Sequence, residues 1–231
     1  MIGTVESLWR YPVKSMRGEE LEEVFVGFGG IRGDRLFAFR SSAARPEFPY
    51  FTARQQPRML QFRPRLVDDG KSVEVETPDG RVFAIDDPAL IEELRRGVDP
   101  KHEVSLMRSD SALADSHPVS MLSIQTAARV LEGADAPMDK RHFRESIYLD
   151  LPAPYAEDEF VGRDVRLGAD VVIAVEELDS RCMMINLHPD TTAAQPSILK
   201  YVGKERGGMA GVYGRVRMEG VVHRGDPVVV L

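Results

Sequence analysis

The sequence predicts a mostly β protein, α+β by content: a β-barrel domain over residues 101–231, preceded by a smaller β-rich N-terminal domain over residues 1–100, with a few short helices. Three observations predict it. Short apolar runs with period-two alternation recur along the chain, separated by Gly- and Pro-containing turns. Only three segments keep a helical period. Those helices are inserted among strands rather than alternating with them, which suits a barrel better than a parallel βαβ sheet.

The elements follow in order. Residues 2–13 alternate loosely through Val5, Leu8, Trp9, Tyr11 and Val13 and read as a strand ending at the polar corner Lys14–Ser15. The glycine-rich stretch 27–33, GFGGIRG, lacks dinucleotide-binding spacing and is followed by a strand-like run, so it reads as a turn. Residues 34–39 continue as strand. Residues 40–58, with Pro46, Pro49 and Pro57, read as loop. Val73 and Val75, a Pro78–Asp79–Gly80 turn and Val82–Ile85 make a hairpin. Asp87 before Pro88 starts a helix through Leu90, Ile91 and Leu94, with Gly97 to end it. A strand near 103–107 and a polar stretch to 118 lead to a helix from Ile124 to Glu132, capped by Ser123 and ended at Gly133. Strands then follow at 146–151, 164–167, 171–176, 182–187, 211–218 and 228–231, interrupted by a helix from Ser197 to about Val202.

Composition narrows the function. A net charge of −7 does not favour nucleic acid as a general partner, though a local basic pocket remains open. No apolar run approaches the ~20 residues that span a bilayer. The start, MIGTVESLWRYPVK, has no signal-peptide pattern, and a cytoplasmic protein is expected. The single cysteine, Cys182, cannot form an intrachain disulfide. Nor can it alone build an iron–sulfur centre or a paired CxxC zinc site. A redox enzyme on this chain would draw electrons from another protein or a diffusible donor.

Two readings of Cys182 stay open on local sequence. It stands beside Arg181 and before the apolar Met183–Ile185. Free cysteine is commonly a small buried hydrophobe, whereas a thiol next to a fixed cation is a nucleophile or soft-metal ligand. Other polar corners also sit at strand ends: Lys14–Ser15, Gly33–Asp34–Arg35, Arg141 to Ser146, and Ser180–Arg181. These corners supply Lys or Arg, cations that suit an anionic group, with Arg as a planar fork and Lys as a point charge. The five histidines show no HxxxH or HExxH spacing, and no serine lies in a G-x-S-x-G elbow.

Taken together, these corners resemble a known family. YPVKS at 11–15, GDRLFAF at 33–39, TARQQPRM at 52–59, DSHP at 115–118, FRESI at 143–147, PYAEDEFVG at 154–162, SRC at 180–182, and GVYGRV with GDPVVVL at the end stand in the order found in the two-domain MOSC proteins, molybdenum cofactor enzymes of the amidoxime-reducing kind. The resemblance implies an N-terminal β-rich domain against a MOSC β-barrel, with a molybdopterin between them. Cys182 would ligate molybdenum beside the two dithiolene sulfurs, with Arg181 helping to keep the sulfur ionised. Lys14, Ser15, Arg35, Ser116, His117, Arg144, Ser146, Ser180 and Arg181 would contact the cofactor. Ser146 replaces an Asn of vertebrate relatives. MMINLHPDT after the cysteine departs from the family's T-x-VDP-type sequence, so Met184 and Asn186 would shape the substrate pocket.

The implied reaction is two-electron reduction of an N–O bond in a small N-hydroxylated substrate. With the chain ending at Leu231, a separate donor protein of the ferredoxin or flavin reductase type is expected, and neither nucleic acid nor membrane. MOSC domains also occur beside sulfur-mobilising enzymes that use pyridoxal phosphate. The alternatives are therefore a sulfur-carrier or transferase module with a persulfide on Cys182, and a non-catalytic binding barrel with a structural cysteine.

Overall fold

The computed structural model describes residues 1–231, the side chain of residue 69 excepted. Seven strands close into a barrel in the order Ile147–Asp150, Val119–Ser123, Met209–Met218, Val171–Ser180, Asp164–Leu167, Pro227–Val230 and Gly3–Arg10. The last pairs back onto the first, from Thr4 opposite Asp150 to Leu8 opposite Ile147. The chain's first strand is therefore a wall of the same barrel as its last. All neighbours are antiparallel except Val119–Ser123 beside Ile147–Asp150. A parallel pair needs a crossover, which helix α2 (Ile124–Gly133) supplies.

Alternation explains the barrel's filling. Val5, Leu8, Met121, Ile147, Leu149 and Val165 point inward and are essentially inaccessible to solvent. A second core of Phe39, Phe51, Met59, Phe62, Val75 and Leu90 holds the β-rich segment 36–106 together. It contains helix α1 (Pro88–Arg95), whose first turn is capped by Asp87 accepting from the Ala89 N–H at 2.8 Å. A third core seats α2 and helix α3 (Pro196–Arg206) on the barrel's outer face through Val130, Leu131, Ile198 and Val202. No helix among the described residues is long and apolar enough to cross a membrane.

Four readings of the sequence are corrected. Residues 40–58 are not simply loop: Phe37–Arg45 and Phe48–Phe51 form a hairpin in which Phe39 pairs with Phe51. Pro49 is tolerated because its strand lies at the sheet edge, where a missing N–H costs no ladder bond. Gly133 is the last residue of α2 rather than its terminating cap, which is Ala134. The glycine makes room for Tyr201, since a Cβ there would lie 2.2 Å from the Tyr201 ring. The strand Val119–Ser123 is buried at every position and so shows no alternation, which is why it escaped the pattern. Finally, residues 182–187 are not a strand.

Met183–Asn186 form a 3-10 turn instead. Asn186 Oδ1 accepts the Leu199 N–H at 2.9 Å, tying the turn to the first turn of α3. Ile185 sinks into the helix-side core and Leu187 into the N-terminal core. A segment pinned on two sides in this way cannot lie in a ladder. It carries Cys182 out of the barrel wall and up to the neighbouring β-rich segment.

A cleft lined by Cys182 and converging cations

The cleft lies where the barrel meets that segment and encloses about 770 Å³ including its mouth. Segments from both halves of the chain converge on it. The Gly3–Arg10 strand ends at Tyr11–Pro12, and the turn after it delivers Lys14 and Ser15. The Lys14 N–H bonds the Phe37 carbonyl at 2.8 Å. Three of the wall residues, Ser15, Arg35 and Arg144, hold positive φ angles of 67°, 48° and 58° without being glycine. Such conformations cost free energy and persist only where the surroundings enforce them.

Two of them, Arg35 and Arg144, stack on Tyr11. Its buried ring is sandwiched between the guanidinium groups of Arg35, 4.8 Å from the centroid, and Arg144, at 4.4 Å. Each stacking is favourable, more so away from water. Arg35 is further fixed by Asp34, by the Arg144 carbonyl at 3.1 Å and by Ser146 Oγ at 3.3 Å. Burial opposes its charge, but Asp34 overcomes that and lifts the pKa above the ordinary arginine value. Arg144 donates to the Met16 carbonyl at 2.7 Å, and among the described residues it forms no ion pair. Burial lowers its pKa.

Lys14, only 6% exposed, donates to Asp115 at 2.5 Å and to the Leu113 carbonyl at 2.6 Å, with the Tyr50 ring 4.7 Å away. Burial lowers its pKa, with Asp115 acting against the shift. For Asp115, burial disfavours the carboxylate, but Lys14 and Arg54 outweigh it and hold the pKa below the ordinary value.

On the opposite wall, Arg181 is consumed inside the protein. It pairs with Glu145 at 2.5 Å and with Asp179, and donates to the Phe143 carbonyl. Two buried carboxylates face one guanidinium. Burial pushes the Asp179 carboxyl well up against the pull of Arg181, with Glu145 adding to the shift. Among the described residues, Glu145 Oε2 is buried with no partner.

The expected cation at the sulfur is therefore corrected. Arg181 precedes Cys182 in sequence, but its guanidinium is directed into the wall. The group that reaches the sulfur is Arg54, whose Nη2 donates to Cys182 Sγ at 3.1 Å. Of the other expected residues, Lys14, Ser15, Arg35, His117, Arg144, Ser146, Ser180, Arg181 and Cys182 all line the cleft. Ser116 does not: its hydroxyl turns outward to Glu177. Met184 lines the cleft, whereas Asn186 caps α3 and does not. Phe48, Arg54, Asp115 and His142 were missed as site residues. TARQ and DSHP held two of them, but only the fold shows which of their side chains face inward.

His142 is 1% exposed. Its Nδ1 lies 2.8 Å from the Ile185 carbonyl, which can only accept, so Nδ1 carries the proton and Nε2 the lone pair. That Nε2 is buried and unpartnered. Burial lowers its pKa.

A barrel of this topology, with this cleft at its junction with an N-terminal β segment, defines the class. The MOSC N-terminal beta barrel domain matches residues 2–116 and the MOSC domain residues 108–229. The chain belongs to the MOSC family. It is 24% identical to the mitochondrial amidoxime-reducing component 1 of Homo sapiens over 288 aligned positions, covering all of this chain and 83% of that protein. The Xenopus laevis protein of the same name is 25% identical, covering 98% and 82%. The crystal structure of the YUAD protein from Bacillus subtilis shares the fold, with a TM-score of 0.56 at 12% identity, covering all of this chain and 96% of that one.

Proposed function

We propose that the cleft binds a molybdopterin with Cys182 as the molybdenum ligand, and that the protein is an oxidoreductase reducing the N–O bond of N-hydroxylated compounds. The observation that carries this reading is the convergence of the chain's only thiol with an unpaired cation, Arg144, in one cleft of an acidic protein. The donor set fits the group. A soft thiolate suits molybdenum bound by sulfur, and the unpaired Arg144 fork suits a phosphate. The names of the amidoxime-reducing relatives support the substrate class.

Arg144, Arg35 and Lys14 would hold the anionic end of the cofactor, with the Ser15 and Ser146 hydroxyls beside them; His117 and Ser180 would border it. Arg181 would act through the wall, by fixing the strand end that presents Cys182. When bound, the cofactor supplies two-electron exchange, which no side chain here provides. Reducing R–NHOH to R–NH₂ and water takes two electrons and two protons. The electrons come from a separate donor protein. Purified protein made with cofactor supply should reduce an N-hydroxylated base using an artificial low-potential donor. Molybdenum-loaded protein that leaves a panel of amidoximes, hydroxylamines and N-hydroxylated bases unreduced would refute the substrate class.

A further inference from the structure

Arg54 is far from Cys182 in sequence, yet it is the side chain that touches the sulfur. Its backbone is set by a tight turn in which Gln55 Oε1 accepts from both the N–H and the hydroxyl of Thr52, at 2.9 Å each. Its guanidinium lies over the Phe48 ring, 4.6 Å from the centroid, and 3.9 Å from Asp115 Oδ2. Ring, carboxylate and turn leave one fork nitrogen directed at Sγ. Arg181, the neighbour in sequence, has no such freedom.

From this geometry we propose that Arg54 is a positioning residue for Cys182: it fixes the direction of Sγ and places a positive charge where a partner of that sulfur must sit. Two consequences follow. Anionic partners are drawn to the sulfur over neutral ones. A metal bound by that sulfur is held at a higher reduction potential, because a hydrogen bond to a ligating thiolate and a nearby cation both favour the electron-rich state. The second consequence rests on the molybdenum reading above; the first does not.

The test compares alkylation of Cys182 in the full-length, cofactor-free chain by iodoacetate, which is anionic, and iodoacetamide, which is neutral. Using the ratio of the two rates cancels the intrinsic reactivity of the thiol. Arg54→Gln should lower the ratio by about fivefold, the effect of one unit charge a few ångströms away in a hydrated cleft. Phe48→Leu removes the ring behind the guanidinium but keeps its charge, and should lower the ratio part of the way. Arg129→Ala, an exposed helix position, should leave it unchanged. An unchanged ratio in both Arg54→Gln and Phe48→Leu overturns the assignment, as does an equal fall in Arg129→Ala. In cofactor-loaded protein, Arg54→Gln should retain molybdenum and shift its potential downward; an upward or absent shift removes the second consequence. Wild-type protein without molybdenum would refute the cofactor reading while leaving the alkylation result to decide on Arg54.

Discussion

Two arginines flank the reactive sulfur, one on the barrel wall and one on the turn after the N-terminal hairpin, and they do opposite things. Arg181 is bonded to Cys182 through the main chain, but its side chain, 6% exposed, is bound to two buried acids and a carbonyl. Arg54 is remote in sequence, 28% exposed, loosely paired, and in contact with Sγ. Nearness along the chain says little about which charge a group feels. What decides it is how fully each guanidinium is already satisfied. The wall arginine holds the fold, and the turn arginine serves the cleft.

The sharpest way to break this comparison is to remove each arginine. Arg181→Met leaves Glu145 and Asp179 buried without a counter-charge and should cost about 3–5 kcal/mol in urea unfolding. Arg54→Gln should cost under about 1 kcal/mol, as for a part-exposed pair. Equal losses would erase the distinction. Tyr11→Leu removes the ring between Arg35 and Arg144 and should cost about 2 kcal/mol from the two stacked cations. It should also lower molybdenum loading, because both arginines lose the support that aims them.

A smaller effect is expected from pH. The folded His142 ring protonates less readily than its unfolded counterpart, whose pKa is near 6.5. The unfolded chain therefore binds more protons, and stability is fully present above about pH 6.5. It should fall as the pH drops from there toward the lowered folded value, by at most about 1.4 kcal/mol per pH unit. His142→Asn should flatten that limb in a series of urea titrations; an unchanged slope would place the dependence elsewhere. The smallest effect on the fold belongs to Met184→Thr. It should lower the melting temperature only slightly while altering KM for an N-hydroxylated substrate several-fold, since Met184 lines the cleft and is only half-buried against the N-terminal core.

Much of this was legible in the sequence, for identifiable reasons. Strands with one wet face, such as Ser72–Glu76, announced themselves by alternation, and α1 by Asp87 before Pro88. The strand Val119–Ser123 did not, because both its faces are covered. Cleft residues at strand ends, such as Lys14, Arg35 and Arg144, were found as polar corners. Arg54 was not, because its role depends on a contact made across the fold, with a sulfur 128 positions away; His142 stood within the Arg141–Ser146 corner, but its bond to a carbonyl 43 positions away is set by the fold. The turn after Cys182 was taken for a strand because its apolar residues alternate between two separate cores, which imitates the two faces of a sheet.

The central claim is that Cys182 ligates molybdenum in this cleft, and metal analysis of protein expressed with cofactor supply tests it most directly. The account predicts about one molybdenum per chain in the wild type and almost none in Cys182→Ser, with the melting temperature of the cofactor-free chains unchanged. Full molybdenum in Cys182→Ser, or a persulfide on Cys182 with no metal in the wild type, would contradict it.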